Sequence, residues 1–359
     1  MKNNFVKSNL KSVFLFLNKK YKFYMHTRAF MKRYKNINKD LFKVSLERKY
    51  VDMYIKKWGI FGTKVEIDTF LLCYNLSGKI DYNIVPENIF VSIIEPGLNK
   101  YTVKESSFLA VKNIYEKWFR CNRYFPKSYF HKIDNVFYDN NYKIIEDIDN
   151  FIKNSVINYP IVCKPSLGTA GGAGILFLKD LKELKESLNV YSNLIFQEKI
   201  TQHKKIELIH SGISSIRTCL YRDKSGNFKV LNNSIRFGVN GSLDNVSAGG
   251  ISCNIDKDGK LNYYAVSKYC DKYIYHPNSK ISFSDIVIPN YSKLSEVAIE
   301  IANEIPLCNL VSLDMCLDSN NEWRCLEINL SSQTIRFAQY AGKGFFGNYT
   351  EEVIERVLS

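Results

Sequence analysis

The chain's 359 residues, 45% hydrophobic and 24% charged, suffice for two or three globular domains with sizeable cores. Its nine cysteines include no CxxC and no Cys/His pair at zinc spacing, which argues against disulfides and structural zinc; the longest apolar run near the N-terminus, VFLFL at 13 to 17, is far too short to span a bilayer. A cytoplasmic chain is expected, and its net charge of +14 is unevenly placed: residues 1 to 49 hold fourteen Lys or Arg against Asp40 and Glu47, leaving about +2 for the rest.

In chain order, residues 1–49 read as a basic amphipathic arm. KSVFLFLNKKYKFYMHTRAFMKRYK interleaves cations with Phe, Leu, Tyr and Met, a composition suited to a helix on an anionic membrane surface, peripheral to the inner face of the plasma membrane. Nucleic acid is the disfavoured rival partner, and a helix that merely covers the body is the plain alternative. Residues 50–105 read as a small α/β unit, with strand-like KVEIDTFLLCYNLSG and NIFVSII between turn signals at Ser77-Gly78 and Pro96-Gly97. ESSFLAVKNIYEKWFRC, 105 to 121, has helical spacing, as does LKDLKELKESL. YPIVCKP, GILFLKD, SNLIFQEKI, SSIRTCLYRD, NFKVLNNSIRFG and GGISCNIDKDG read as strands. In YSKLSEVAIEIANEIP, Leu294, Val297, Ala298, Ile301, Ala302 and Ile305 form one apolar helical stripe. TEEVIERVL closes the chain as a helix that Thr350 can cap. The order implies an α+β fold with antiparallel sheet in the second half.

Residues 310 to 332, LVSLDMCLDSNNEWRCLEINLSS, read as a hairpin turning at Asn320-Asn321, because Asn tolerates positive φ. A two-residue turn pairs 319 with 322 and sets 314 across from 327. Asp314, Glu327 and Asn329 then share one face, while Met315, Leu317, Leu326 and Ile328 share the other. The polar face also carries Cys316 and Cys325 in this register, with no Lys or Arg beside the carboxylates. Opposed carboxylates repel, and Mg²⁺, which favours hard oxygen ligands, is a natural counter-charge; a solvated acidic face is the plain alternative.

IVCKPSLGTAGGAGILFL supplies a second constellation. Gly168, Gly171, Gly172 and Gly174 let backbone N–H groups approach an anion, and Lys164 stands at the loop's entrance. The loop joins two strands and fits neither the P-loop nor the dinucleotide fingerprint.

Here the chain resembles the ATP-grasp family. KPSLGTAGGAG is similar to its central-domain loop, and D(x12)ExN at 314, 327 and 329 has the spacing of the metal hairpin in D-alanine:D-alanine ligases. QEKITQH, SIRT, IRFG, LDN and AGGI, in that order, resemble the sugar-transfer-associated ATP-grasp proteins of polysaccharide biosynthesis. The resemblance covers roughly residues 105 to 350. It implies a central subdomain at 106–198 and a C-terminal subdomain at 199–359, two α+β halves that grip ATP. It further implies that Lys112 and Lys164 face the phosphates beside Gly168, Gly171 and Gly172, that Glu198 accepts from the adenine amino group, and that the backbone of Lys199 and Ile200 meets the ring edge. His203 or Glu207 would hold the ribose, Asp244-Asn245 would sit in a loop closing over the γ-phosphate, and Asp314, Glu327 and Asn329 would hold Mg²⁺. Where the dipeptide ligases carry an Arg, this chain has Ser312, and Arg217 or Arg236 would supply that charge. Ser331, Ser332, Gln333 and Arg336, beyond the hairpin, are placed to read the acceptor.

The implied activity is that of an ADP-forming carboxylate–amine ligase using ATP and Mg²⁺, joining an amine or amino acid to a uronic acid of a glycan precursor through an acylphosphate. Two alternatives remain at this level: a kinase of the same fold that phosphorylates a hydroxyl, and a non-catalytic module binding nucleic acid or protein. The oligomeric state has no signature in the sequence.

Overall fold

A computed structural model of the chain describes residues 21, 24, 25, 27–29, 32, 34–43, 46–167, 172–242 and 244–359. By contact it divides into two compact units, Asn99–Ser331 and Met1–Leu98 with Ser332–Ser359. Most of the expected basic arm lies outside the described residues, as do Gly168 and Gly171 of the glycine loop. Among the described residues no helix is long and apolar enough to cross a membrane.

The unit Asn99–Ser331 holds two antiparallel sheets. The first contains β1 (Ser128–Ile133), β2 (Val136–Asp139), β3 (Ile161–Pro165), β4 (Leu176–Leu178) and β5 (Leu194–Glu198), in the order β2-β1-β5-β3-β4. Alternate residues of these strands point into one small core, where Phe130 stacks on Phe196 at 4.2 Å and Ile161, Cys163, Ile152 and Leu184 close around them. The helices Ile148–Asn154 and Leu181–Ser187 supply the last two, and each is started by an Asp, Asp147 or Asp180, whose carboxylate accepts a first-turn amide.

The second sheet contains β6 (Ile216–Arg222), β7 (Phe228–Phe237), β8 (Ile251–Ile255), β9 (Leu261–Val266), β10 (Lys272–Tyr273), β11 (Leu310–Leu317) and β12 (Trp323–Asn329), ordered β10-β9-β8-β7-β6-β11-β12. The helix Tyr291–Asn303 packs on one face of it, and its expected stripe from Leu294 to Ala302, continued by Ile305, is buried against Leu313, Met315, Leu317 and Ile328. That burial frees the opposite face for polar work. All six strand-like segments named between 159 and 260 form strands, and the pair β1–β2, with its turn at Asp134 and Asn135 in positive φ, was not expected.

The unit Met1–Leu98 with Ser332–Ser359 is helical in its described residues, which corrects the expected α/β character of 50–105. KVEIDTFLLCYNLSG forms the helix Asp68–Ser77, and NIFVSII becomes Glu87–Ile89 continued by a π-helical turn, Phe90–Ile94. Thr69, Phe70, Leu71, Leu72, Cys73 and Leu76 are all buried, so the helix is buried around most of its circumference and carries little 3.6-residue signal to set it apart from a buried strand. Gly78, at φ +72, then closes it by donating its amide to Tyr74 O. Thr350 is not the cap of the last helix, Thr350–Leu358; Tyr349 occupies that position and the Thr350 hydroxyl donates to Gly347 O. Nor is 105 to 121 one helix: it breaks into the turns Ser107–Ala110, Lys112–Ile114 and Tyr115–Trp118 around an extended Val111. The break turns Lys112 toward β3, where its amide meets Ser166 O at 3.4 Å.

Candidate functional site

The site is built on the hairpin β11–β12. Its turn is longer than expected: Asp318 pairs its amide with Glu322 O, its carboxylate accepts the amides of Asn320 and Glu322 at 2.9 Å, and Asn321 takes φ +64. Consequently Leu317 faces Trp323 and Cys316 faces Arg324, one residue out of the expected register. A bulge at Leu326 then shifts the register back, so that Asp314 does face Glu327 and Ser312 faces Asn329. The two departures cancel where the carboxylates lie. Between them the faces exchange: Cys325 turns into the apolar core beside Met315, and Arg324 comes to the polar face with Cys316.

The carboxylates are not bare, contrary to the expectation drawn from the hairpin alone. Arg217 on β6 lies directly across from Asp314 and clasps it with two hydrogen bonds, Nε to Oδ1 at 2.6 Å and Nη2 to Oδ2 at 3.0 Å. Arg236 on β7 adds Nη2 to Oδ2 at 2.9 Å. Burial alone would raise the Asp314 pKa, but the two guanidinium groups outweigh it and hold the carboxyl at about 2. Glu327 is paired with Lys112, Nζ to Oε1 at 2.9 Å. Lys164, from β3, donates at 3.3 Å to the carbonyl of Leu326, the bulge residue. Burial and the neighbouring charge of Lys112 push the Lys164 pKa down to about 8. Two carboxylates and four cations thus interleave where the two sheets of this unit approach each other.

A second tier holds this arrangement. Ser215 accepts at 3.1 and 2.5 Å from Nε and Nη2 of Arg236, and its own amide donates to Asp244 Oδ2 at 2.8 Å. Asp244 therefore acts on Asp314 through Ser215 and Arg236, a role invisible from its place in a turn. Asn245 caps the short turn Val246–Ala248 through its Oδ1.

Residues 112–353 match the sugar-transfer associated ATP-grasp family. The chain belongs to that family. No curated protein matches the chain. Among solved structures it is similar to N5-carboxyaminoimidazole ribonucleotide synthetase from Thermotoga maritima (11% identity, 70% of this chain and 49% of that chain, TM-score 0.40). It is also similar to the D-Ala:D-Ser ligase from Enterococcus faecalis (13% identity, 72% and 63%, TM-score 0.40) and to biotin carboxylase from Campylobacter jejuni (14% identity, 70% and 46%, TM-score 0.42). The chain spans about half the length of the synthetase and the carboxylase, and under two thirds of the ligase.

The remaining positions implied by the ATP-grasp likeness fall unevenly. Gly172 and Gly174 take φ +78 and +77, and a Cβ at Gly174 would lie 2.8 Å from Pro165 Cγ, so this end of the loop requires glycine. Glu198 ends β5, but one of its oxygens, Oε1, accepts from the Lys127 amide at 2.9 Å and from Arg324 at 2.6 Å. Arg324, which the sequence reading missed, also reaches Phe125 O and Asp318 and so ties the hairpin to the first sheet. Lys199 is exposed and Ile200 buried just after β5. His203 caps the turn Lys204–Glu207 by accepting the Lys205 amide at Nδ1, while Glu207 is exposed.

Beyond the hairpin, Ser331 is exposed at the end of its unit. In the other unit Ser332 is exposed at φ +59, and Gln333 is buried with its amide on Glu95 Oε1 at 2.9 Å. Burial lifts the Glu95 pKa to about 7 against those backbone amides. Arg336 is buried in the same unit as Tyr34, whose hydroxyl meets Thr69 and Glu87 and which feels the Arg336 charge.

Among the described residues no group of three His, Cys, Asp or Glu could hold a metal by itself. The donors at the hairpin suit Mg²⁺ in a more limited way. Two facing carboxylates are what the ion takes from protein when phosphate and water supply the rest. The Asn329 side-chain nitrogen is buried without a hydrogen-bond partner, and rotating that amide would present its oxygen on the carboxylate face.

Proposed function

We propose that the chain is a Mg²⁺- and ATP-dependent carboxylate–amine ligase acting on a sugar or glycan precursor. The observation that carries this reading is the interleaving of Asp314 and Glu327 with Arg217, Arg236, Lys112 and Lys164. Such a face offers cations to phosphate oxygens and carboxylates to a metal, and it supplies charge and position rather than a nucleophile.

In the proposed reaction Lys112 and Lys164 turn from Glu327 and Leu326 to the phosphates, and Arg217 and Arg236 neutralise the transferred group from the opposite strands. Bound Mg²⁺, held by Asp314, Glu327 and Asn329, would offset phosphate charge. A substrate carboxylate oxygen bonds to the γ-phosphorus as its bond to the bridging oxygen breaks, releasing ADP. An amine nitrogen then bonds to the acyl carbon, phosphate departs with the electron pair, and the ammonium proton passes to solvent. The glycine loop would exclude water from the acylphosphate.

The depressed pKa of Lys164 gives a pH signature. Below pH 8 the ammonium is present and assists phosphate binding; as pH rises through 8 it is lost from the free protein. ATP affinity is therefore expected to fall several-fold between pH 7 and 9.5, with proton uptake on binding near pH 8.5. Lys164→Met should flatten that slope in calorimetric titrations run in two buffers of different ionisation enthalpy.

The reaction class is tested by incubating the chain with MgATP and a panel of uronic acids paired with amines and amino acids. Expected is ADP and free phosphate in equal amounts, together with a product heavier than the acid by the amine less water. ADP without free phosphate, accompanied by a phosphorylated acceptor, would instead establish a kinase.

A further inference from the structure

The far edge of the seven-stranded sheet carries an aromatic and basic groove that the nucleotide site does not use. Residues 272–277 and Lys280 line an open groove of about 640 Å³ along β10 and the hairpin that follows it. Ile274 and Tyr275 stand 49% and 57% exposed in it, large apolar surfaces that a soluble strand edge ordinarily hides. Lys272 holds its ammonium over the rings of Tyr263 and Tyr264, at 4.8 and 4.3 Å, and donates to the Tyr263 hydroxyl at 2.8 Å. Tyr263 is itself 47% exposed, so the aromatic surface extends from the groove across β9.

The groove is held in shape from behind. The hairpin closes through Phe283 N to Ile274 O, His276 N to Ile281 O and Lys280 N to His276 O, at 2.9 to 3.1 Å. His276 is buried with Nε2 at 3.0 Å from Gly238 O, and Asn278 exchanges two 2.9 Å hydrogen bonds with Asn240. A ligand would meet a backbone already held in shape, with less ordering entropy left to lose.

We propose that this groove binds an acidic oligosaccharide, laying a pyranose face on Tyr275 and its carboxylates near Lys272 and Lys280. The C–H face of a sugar ring is flat and weakly apolar and packs on an exposed tyrosine, whose hydroxyl serves the sugar hydroxyls. The lysines add anion preference. Nucleic acid fits less well: each strand of a duplex carries a phosphate about every 3.4 Å of helix axis, and outside residues 1–49 the chain's net charge is only about +2. The choice of a glycan rests on the reading of the chain as acting on a sugar precursor, and the site would hold a growing polymer away from the chemistry.

Amide hydrogen exchange on the intact chain tests this locally, separately from any binding by the basic arm. With oligogalacturonate, exchange across 272–283 is expected to slow at least fivefold, and Tyr275→Ala/Lys280→Gln should remove that slowing while leaving ATP affinity unchanged. Lys280→Gln alone, at an exposed position, should weaken oligogalacturonate binding several-fold with no change in melting temperature. Absence of slowing at 272–283, equal slowing by maltohexaose, or stronger slowing by poly(U) RNA would each overturn the proposal. Because none of these readouts needs turnover, an inactive panel assay would leave the groove result standing.

Discussion

Asp314→Ala is expected to destabilise the unit Asn99–Ser331 by about 3–5 kcal/mol, because it removes the shared partner of two partly buried guanidinium groups. Arg217 and Arg236 both bond Asp314 and are only 24% and 13% exposed at their side chains, so neither can be fully hydrated in its absence. The loss reads out as a lower urea midpoint at unchanged slope. Acid sensitivity gives a second signature with a defined sign. The Asp314 carboxyl titrates at about 2 when folded and near 3.9 unfolded. Its contribution, about 2–3 kcal/mol, is therefore complete above pH 4 and lost as pH falls through 2. Asp314→Ala should lack that part of the acid limb, whereas a neutral and loosely held Asp314 would leave midpoint and acid limb alike unchanged.

The second large effect concerns metal and nucleotide together. Without a divalent ion, ATP can reach Lys112, Lys164, Arg217 and Arg236 only by opening their bonds to Glu327, Leu326 O and Asp314. Two carboxylates would then face a tetra-anion with nothing between them, a cost of several kcal/mol in a partly buried site. With Mg²⁺ the carboxylates and phosphates share one cation. ATP affinity is thus expected to be at least about 100-fold higher with Mg²⁺, or about 2.7 kcal/mol. Linkage requires ATP to raise Mg²⁺ affinity by the same factor. Mg²⁺ alone should bind weakly, since each carboxylate already has its cation.

How far the sequence revealed this site depends on the range of the interaction. The pairing of Asp314 with Glu327 was legible, yet for an incomplete reason: a turn one residue longer, held by the Asp318 carboxylate, is offset by a bulge at Leu326. Alternation along a single hairpin cannot reveal a bulge, so Cys325 was placed on the polar face and Arg324 was overlooked. The partners of Asp314 come from strands about 100 and 80 residues earlier, and only the family likeness pointed to Arg217 and Arg236. Ser215 had no signal of its own, since a serine entering a strand is unremarkable until Arg236 and Asp244 meet on it. In the N-terminal unit the failure lay in periodicity: Asp68–Ser77 is buried around most of its circumference, so the pattern that separates helix from strand is missing. The glycine loop was recognised from composition, and among its described residues Gly172 and Gly174 take positive φ.

On the hairpin face metal and nucleotide are expected to bind as one. Calorimetric titration of the intact chain with ATP, in Mg²⁺ and in a chelator, measures this directly, with Glu327→Gln as the paired variant. Predicted is the hundredfold gain in Mg²⁺ for the natural sequence and its loss in Glu327→Gln, with chelator binding retained or improved. Equal ATP affinity in both buffers, or the same Mg²⁺ gain in the variant, would contradict it.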